Sequence, residues 1–414
     1  MNIILLSGGS GKRLWPLSND IRSKQFIKIF KKENGELESM VQRIYGQIKS
    51  VDPDAVVTVA TSKSQVSAIH NQLGLDIGIS VEPCRRDTFA AIALATAYLN
   101  CVMNVPRDEA VVVCPVDPYV EDSYFECVNR LYEAASKGEQ NLTLMGIEPT
   151  YPSEKYGYIK PKKNDDGTDG WGFTEKPTAE KAQEYIDGGA LWNGGVFAYK
   201  LSYVLDKSKE LLGTDNYDEL FSNYANLKKI SFDYAVVEAE TSIDVLRYNG
   251  EWKDLGTWNT LTEAMTDPII GMGLKDMVIS ASPEGILVSD KEQSSYIKPF
   301  VDDIVQRVMF AEKSWGSYRV LDVEESSMTV KVTLNPGNKM NYHSHDKRDE
   351  VWTVIAGSGR TVVDGMEQLV KPGDVVTMAA GCKHTVFAGD EGIQLIEVQL
   401  GEDINVADKH KYEL

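Results

Sequence analysis

The sequence predicts a large α/β domain built on a mostly parallel sheet, followed by a short β connector and a small all-β domain. Three observations lead to this prediction. At 414 residues the chain is too long for one ordinary domain. Short apolar runs alternate with helical patterns in the first two-thirds, and closely spaced strands with glycine turns replace them towards the end. We expect domains over residues 1–265, 266–312 and 313–414.

The first domain shows the alternation of strand and helix that is typical of a Rossmann-like sheet covered by helices. Apolar runs predict strands over residues 3–6, 55–60, 111–114 and 142–146. Apolar residues at helical spacing predict helices over residues 39–49, 63–73 and 87–103.

The remainder of the chain predicts β-structure. The connector contains two strand-like pieces, at residues 277–280 and 285–289. Beyond Trp315, short strands are predicted over residues 328–334, 351–355, 361–363, 375–378 and 394–399. Their close and even spacing is typical of an antiparallel barrel or sandwich.

Composition excludes several classes of partner. The chain has 43 Lys and Arg against 62 Asp and Glu, a formal net charge of −19, and no basic tract that would attract a nucleic-acid backbone. No apolar stretch is long enough to cross a bilayer, and the first residues do not form a signal peptide. The five cysteines lack CxxC spacing and indicate reduced thiols. We therefore expect a cytoplasmic protein that binds neither nucleic acid nor membrane.

The loop after the first strand is rich in glycine. It reads Ser-Gly-Gly-Ser-Gly-Lys-Arg-Leu-Trp-Pro from Ser7, with Gly8, Gly9 and Gly11 able to bring backbone N–H groups close to phosphate oxygens. It is not a Walker A loop, because arginine follows the lysine. A ligand-free βα turn explains the glycines equally well. The cations Arg13 and Lys24 favour phosphate binding, since either could neutralise charge on a triphosphate.

Four further pieces contain candidate site residues. Asp117 follows a buried strand at its carboxyl end, where α/β sheets bind ligands. The others are Glu175 beside Lys176, Asn193 among glycines, and Asp254 between two tryptophans. Each also has a structural interpretation as a turn residue, a solvated ion pair or a cap. Their joint occurrence in this order favours function.

These motifs resemble those of the sugar-1-phosphate nucleotidyltransferases over nearly the whole chain. They match the mannose-1-phosphate guanylyltransferase branch that has a type II phosphomannose isomerase-like tail. The resembling stretches are Gly-Gly-Ser-Gly-Lys-Arg-Leu-Trp-Pro-Leu-Ser from Gly8, Lys-Gln-Phe from Lys24, Phe-x-Glu-Lys-Pro from Phe173, Trp-Asn-x-Gly-x-Phe from Trp192, Ser-Phe-Asp-Tyr-Ala-Val-Val-Glu from Ser231 and Trp-x-Asp-x-Gly-x-Trp from Trp252.

The resemblance implies that GTP and a sugar 1-phosphate, mannose 1-phosphate first of all, react to give an NDP-sugar and pyrophosphate. It implies catalytic roles for Arg13 and Lys24, with the loop glycines, Arg13, Asp87 and Asp117 on the nucleotide. Glu175, Lys176 and Asn193 would bind the sugar phosphate, and Asp117 and Asp254 would bind Mg²⁺. The alternatives are an enzyme that uses another sugar 1-phosphate, such as fucose or heptose 1-phosphate, an enzyme that uses another base, and a non-catalytic regulatory protein that binds a sugar nucleotide.

Two positions depart from the family pattern. Ser23 stands where proline precedes Lys-Gln-Phe, which loosens the loop presenting Lys24. Arg86-Asp87-Thr88 replaces the family's Arg-Asn-Thr near the base pocket, and if Asp87 touches the base, its changed donor and acceptor pattern weakens the argument for guanine. Asp87 is also a candidate N-cap for the following helix.

The last domain contains both cupin motifs, which predict a jelly-roll β-barrel. The first is Gly337-x5-His-x-His-x4-Glu-x6-Gly, and the second is Gly373-x5-Ala-x-Gly-x2-His. They would bring together His343, His345, Glu350 and His384 as ligands of a divalent metal such as Zn²⁺, Mn²⁺, Fe²⁺ or Ni²⁺.

The same segment resembles the isomerase tail at Arg348-x-Glu-x-Trp and Leu395-Ile-Glu-Val-Gln. The resemblance implies interconversion of mannose 6-phosphate and fructose 6-phosphate. Against this, the spacer between His345 and Glu350 is longer than in those isomerases, and the chain ends where the family continues to a functional arginine. A structural or sensing cupin is an equal alternative. Exposed strand edges in the connector are compatible with a homodimer.

Overall fold

A computed structural model of the chain describes all residues except 9–13, 19–22, 33, 164–168, 255–274, 283–284, 303–307, 406 and 414. Contacts divide the chain into two compact units. The first comprises residues 1–9, 25–66 and 76–268, and the second comprises residues 10–24, 67–75 and 269–414. Within the described part of the chain, no helix is long and apolar enough to span a membrane.

The strands fall into an early and a late group along the chain. The early strands are β1 (Asn2–Leu6), β2 (Lys28–Lys31), β3 (Leu37–Ser39), β4 (Val56–Ser62), β5 (Gly78–Glu82), β6 (Ala110–Pro115), β7 (Pro118–Val120), β8 (Leu142–Ile147), β9 (Gly157–Lys163), β10 (Asp169–Glu175), β11 (Leu191–Lys200), β12 (Ile243–Tyr248) and β13 (Trp252–Asp254). The late strands are β14 (Met277–Ser282), β15 (Gly285–Asp290), β16 (Phe310–Lys313), β17 (Gly316–Val323), β18 (Ser327–Leu334), β19 (His343–Ser344), β20 (Asp349–Val363), β21 (Met366–Val370), β22 (Val375–Met378), β23 (His384–Leu400) and β24 (His410–Lys411).

The α-helices lie between the early strands, as the alternating pattern predicts, with one short helix later. They are α1 (Met40–Val51), α2 (Val66–Leu73), α3 (Asp87–Cys101), α4 (Asp122–Lys137), α5 (Ala179–Asp187), α6 (Leu201–Leu212), α7 (Tyr217–Asn223), α8 (Phe232–Ala235) and α9 (Lys298–Asp302).

The first unit is built on a mixed sheet whose centre is parallel. Its main path is β10-β9-β11-β6-β1-β4-β5, and β8 joins β11 to β12. Strands β6, β1, β4 and β5 run parallel, as do β8 and β12. Strand β11 runs antiparallel to β6, β8 and β9. The predicted α/β class is confirmed, with β11 as the strand at which the direction changes.

Helix α3 forms the centre of the first core. Ten of its fifteen residues are buried, including the run from Phe89 to Ala97, so it is apolar around most of its circumference. Its one buried hydroxyl, on Thr96, lies 2.9 Å from the hydroxyl of Tyr199 in β11, which is also buried. This hydrogen bond ties the helix to the strand at which the sheet changes direction.

The second unit contains an antiparallel sheet with the path β16-β17-β18-β23-β19-β24, and β20 pairs with β21, β22 and β23. The two strands predicted over 351–355 and 361–363 are one strand, β20, whose pairing with β23 shifts register between Val354 and Ala356 and between Gly357 and Gly359. Glycine allows this bend, because Gly357 has φ +71° and a Cβ there would meet the backbone of Gly392. The two strand-like pieces predicted in the connector form strands β14 and β15, which pair antiparallel as a hairpin.

We expect Thr96→Val to lower the free energy of unfolding by about 1–2 kcal/mol, because the Tyr199 hydroxyl would be buried without its partner. Urea denaturation of the single variants and of Thr96→Val with Tyr199→Phe measures this. The double variant should lose less than the sum of the two single variants. Strictly additive losses would show that the two hydroxyls do not interact.

Candidate functional site

A two-stranded ribbon sets the backbones of the two aspartates predicted to bind metal next to each other. Strand β13 pairs antiparallel with β7, and this register sets Asp254 opposite Pro118, the residue after Asp117. Asp117 follows the buried strand β6 at its carboxyl end, as predicted. Both side chains are half-buried. Two carboxylates placed this way suit a hard divalent cation, which prefers oxygen ligands.

Aromatic rings pack beside this ribbon. The ring centroid of Trp252, in β13, lies 5.2 Å from that of Tyr156 and 6.1 Å from that of Trp192. Tyr156 and Trp192 are themselves 5.0 Å apart. Burial raises the pKa of Tyr156, and the Tyr151 hydroxyl and the charges of Asp254 and Asp117 raise it further. Both aspartates therefore act on the same phenol, which stays neutral.

The predicted pair Glu175 and Lys176 lies at the end of β10. Glu175 pairs with Gly157 in β9, and a Cβ at Gly157 would lie 2.5 Å from the Glu175 carboxylate, so glycine makes room for it. The Lys176 ammonium lies 2.8 Å from Glu175 Oε1, and this contact raises the pKa of Lys176. Lys176 has φ +44°, a strained conformation for a residue with a side chain. With 62% of its side chain exposed, its ammonium can also reach a ligand.

Asn193 is held in a fixed orientation by two hydrogen bonds. Its Oδ1 accepts from the N–H of Gly195, which has φ +68° and requires glycine, at 3.0 Å. Its Nδ2 donates to Asp233 Oδ1 at 2.7 Å. The β11–β8 register shifts between Asn193 and Phe197, so the amide sits at a bulge, a feature common beside active sites.

Asp233, in α8, is a candidate site residue that the sequence interpretation missed. Burial raises its pKa to about 6, and the negative charge of Glu175 adds to this, while the Asn193 amide works in the opposite direction. The positive charge of Lys176 also lowers the pKa of Asp233. Glu175, Lys176, Asn193 and Asp233 therefore form one electrostatic cluster. The block Ser-Phe-Asp-Tyr from Ser231 was the available signal, because it places a carboxylate just after a helix N-cap.

The amino-terminal loop lies mostly outside the described residues. Gly9, Gly11 and Arg13 belong to the part that is not described, whereas Gly8 is exposed just after β1. Lys24 is half-buried and begins a short 3₁₀ helix that ends at Phe26. Their contacts with a nucleotide stay a prediction.

Asp87 is exposed at the amino end of α3. The N-cap position belongs to Arg86, one residue before the predicted cap. The Asp87 carboxylate nevertheless accepts from the N–H of Thr88 at 2.8 Å, so it satisfies one of the amides of the first turn.

The second unit brings together the three predicted histidine ligands. His343 pairs directly with His384 across β19 and β23, and ring nitrogens of His343, His345 and His384 lie within 4.8 Å of one another. All three side chains are buried. Burial lowers the pKa of His343 to about 3 and that of His345 to about 4, so both imidazoles are neutral, as metal ligation requires.

The three imidazoles share one tautomer, set by backbone carbonyls. Nδ1 of His343 donates to Asn341 O at 2.6 Å, Nδ1 of His384 donates to Cys382 O at 3.0 Å, and Nδ1 of His345 donates to Asp408 O. A carbonyl only accepts, so each Nδ1 has the proton and each Nε2 has the lone pair of its ring. Hydrogen bonds of this kind orient histidine rings towards a metal ion.

The predicted fourth ligand, Glu350, lies beside the histidines. Its Oε1 is 3.2 Å from His345 Nε2 and its Oε2 is 3.3 Å from His384 Nε2. Burial raises the pKa of Glu350, but its neighbours, among them the Arg348 guanidinium that donates to its Oε1, outweigh burial and hold that pKa below its usual range. The carboxylate is therefore ionised and fits the metal as well as the imidazoles do.

Further buried polar groups lie near this cluster and were not predicted. Burial, and then the charge of Glu350, raises the pKa of Glu397 to about 7, and Gln399 Nε2 donates to its Oε1. Burial lowers the pKa of Lys409 to about 8. The alternation of apolar and polar residues along β23 and in the tail does not predict that these groups are buried, because a polar residue that points inward looks the same in the sequence as one that points outward.

We expect Asp233→Asn to stabilise the protein at neutral pH. Because the folded-state pKa of Asp233 is raised, its ionisation opposes folding as the pH passes from about 4 to above 6, by up to about 3 kcal/mol. Thermal unfolding should show a higher midpoint for the variant at pH 8 and little difference at pH 4. Asp187→Asn, on the exposed end of α5, is the matched control. An equal effect at both pH values would contradict the raised pKa.

In the comparison with known proteins, two family models match successive parts of the chain. The model of the family described as "Nucleotidyl transferase" matches residues 2–269, and that described as "Mannose-6-phosphate isomerase C-terminal" matches residues 302–413. The chain is 26% identical to a mannose-1-phosphate guanylyltransferase of Escherichia coli K12, covering 96% of this chain and 95% of that protein. It is 28% identical to the xanthan biosynthesis protein XanB of Xanthomonas campestris, covering 99% and 97% respectively.

A solved structure resembles most of the chain. The crystal structure described as mannose-1-phosphate geranyltransferase from Thermus thermophilus is 26% identical, with a TM-score of 0.62, and covers 73% of this chain and 98% of that chain. The first family model spans more than half of the sequence and contains the ribbon, the aromatic rings and the Glu175 cluster. The chain therefore belongs to the nucleotidyl transferase family and is an enzyme of that class, with an isomerase-like, cupin-like C-terminal part.

Proposed function

We propose that this enzyme transfers a guanylyl group from GTP to mannose 1-phosphate, giving GDP-mannose and pyrophosphate. The observation that carries the proposal is the β7–β13 register, which places Asp254 beside Asp117 at the carboxyl end of β6. Relatives named as mannose-1-phosphate guanylyltransferases over nearly their full length support mannose above the fucose and heptose alternatives.

Asp117 and Asp254 would hold Mg²⁺, the cation that best suits two carboxylates near phosphate oxygens. Bound Mg²⁺ would neutralise charge on the phosphates and align them. The fold would fix the position of the metal ion, because Asp254 is held by the hydrogen-bonded pairing of β13 with β7 and Trp252 by its aromatic neighbours.

The sugar phosphate would bind at the Glu175 cluster. The Lys176 ammonium would take the phosphate, and the Glu175 carboxylate and the Asn193 amide would take sugar hydroxyls. Asp233 would orient Asn193 through their 2.7 Å hydrogen bond. The sugar phosphate oxygen would then attack the α-phosphorus of GTP in line, displace pyrophosphate and form no covalent enzyme intermediate. Catalysis would rest on positioning and charge neutralisation.

The triphosphate would bind to the amino-terminal loop and the cations near it, namely Gly8, Gly9, Gly11, Arg13 and Lys24. Asp87 would lie near the base. Backbone N–H groups and cations together stabilise the charge that spreads over the phosphate oxygens in the transition state.

For the C-terminal part we propose a divalent transition metal on His343, His345, Glu350 and His384, because three Nε2 lone pairs and an ionised carboxylate converge there.

We expect Asp254→Asn to lower kcat by at least about 100-fold, because removing one negative charge weakens the binding of Mg²⁺ at the phosphates. Release of pyrophosphate from GTP and mannose 1-phosphate in the presence of Mg²⁺ measures this. Glu251→Gln, an exposed acid three residues earlier that is paired with Lys253, is the matched control and should keep full activity. Full activity of Asp254→Asn would remove Asp254 from the metal site. If no pair of a nucleoside triphosphate and a sugar phosphate reacts with the natural enzyme, the proposed function is wrong.

We expect Lys176→Met to lower kcat/KM for mannose 1-phosphate by about 10- to 100-fold, since a charged hydrogen bond to phosphate contributes about 1.5–3 kcal/mol. Initial rates at varied mannose 1-phosphate and saturating GTP measure this. The KM for GTP should change little. Lys181→Met, an exposed lysine on α5, controls for the loss of surface charge. An effect confined to the KM for GTP would assign Lys176 to the nucleotide instead.

A further inference from the structure

A buried arginine lies among the predicted ligands of the C-terminal metal site. Only 8% of the Arg348 side chain is exposed. Its Nε donates to Glu350 Oε1 at 2.9 Å, and its Nη2 donates to His345 Nε2 at 2.9 Å. Its Nη1 donates to the carbonyl of Asn405 at 3.1 Å. The guanidinium thus holds two of the four proposed ligands by their coordinating atoms.

The ring of His345 has a single lone pair for both Arg348 and a metal ion. Its Nδ1 has the proton and donates to the carbonyl of Asp408, so Nε2 is the sole acceptor of the ring. A nitrogen lone pair that accepts the Arg348 N–H cannot coordinate a metal at the same time. The two other imidazoles differ, since His343 and His384 have no hydrogen bond from Arg348 among the described contacts.

We propose that Arg348 competes with a divalent metal ion for His345 and Glu350, so that metal binding in this domain requires displacement of its guanidinium. This inference rests on the metal site proposed above. Arg348 is the cation that hydrogen-bonds these two ligands directly: it neutralises Glu350, which is only 2% exposed, and donates to His345.

The competition follows from the energetics of buried charges. Glu350 without a cation would be a buried, uncompensated carboxylate, which is strongly unfavourable. Arg348 relieves this with a direct charged hydrogen bond and with a second bond to His345. A metal ion must replace both bonds, and charged hydrogen bonds contribute about 1.5–3 kcal/mol each. The affinity for metal should therefore be lower than the four ligands alone would provide.

The test compares Arg348→Met with Lys347→Met in the full chain. Lys347 is the adjacent residue, its side chain is 57% exposed and pairs with Asp403 instead of the histidines, and its replacement removes the same charge. Metal-stripped proteins are titrated with Co²⁺ by isothermal calorimetry and visible absorption, with Mg²⁺ in excess to occupy the Asp117–Asp254 site. We expect Arg348→Met to bind Co²⁺ about 10- to 100-fold more tightly than the natural protein, and Lys347→Met to bind as the natural protein does.

A second readout keeps the proposal testable if Arg348→Met is poorly folded. Arg348→Lys keeps the charge but has a single nitrogen, which cannot bridge Glu350 and His345 together, so its Co²⁺ affinity should lie between those of the natural protein and Arg348→Met. Metal-free Arg348→Met should also unfold at a lower temperature than the metal-free natural protein. Adding Co²⁺ to the variant should raise its unfolding temperature and remove this difference.

The outcomes separate the two proposals. Equal or weaker Co²⁺ binding by folded Arg348→Met would overturn the competition and leave the metal site in place. The same gain in Lys347→Met would overturn it too, because the effect would then be general electrostatics. Absence of Co²⁺ binding in every protein would overturn both the metal site and this inference, while leaving the transferase assignment untouched.

Discussion

The proposed transferase site depends on the backbone pairing of two very short strands, β7 and β13. They come from distant parts of the chain, and their ladder sets Asp254 opposite Pro118. An isolated ribbon of this length is marginally stable in water. Here its residue Trp252 packs against Tyr156 and Trp192, which belong to the loop before β9 and to β11. The carboxylates, the aromatic rings and the strand that contains Asn193 are thus positioned by one set of contacts.

The net charge of −19 is unfavourable for binding two anionic substrates. The distribution of charge within the first unit resolves part of this. Burial, and then the negative charge of Glu175, raises the pKa of Asp233, and Lys176 beside them supplies the opposing charge. A cation held by Asp117 and Asp254 would add to it. Local charge within hydrogen-bonding distance governs binding, since more distant exposed charges are screened by salt.

Charges within hydrogen-bonding distance are also important in the C-terminal part, where the cation Arg348 neutralises the carboxylate of Glu350. Its interior contains imidazoles, two glutamates, an arginine and a half-buried lysine, and burial together with the charge of Glu350 raises the pKa of the second glutamate, Glu397. Backbone carbonyls choose the tautomer of every histidine in the cluster, and Arg348 compensates Glu350. Two contacts come from the tail, where Asp408 accepts from His345 and Asn405 accepts from Arg348. The short C-terminal segment is therefore a structural part of the histidine cluster.

The sequence by itself determined the fold class, because strand and helix periodicities follow from which face of each element is buried, and that is local information. It also determined which residue types stand at the ends of strands, so Asp117, Glu175, Lys176, Asn193 and the three histidines were all candidates. Tertiary structure alone decided that Asp254 pairs beside Asp117, that Asp233 joins Asn193, and that Arg348 occupies the lone pair of His345. Such contacts join residues from separate elements or depend on how a side chain turns inward, and no periodicity in the sequence encodes register, burial or direction at that level.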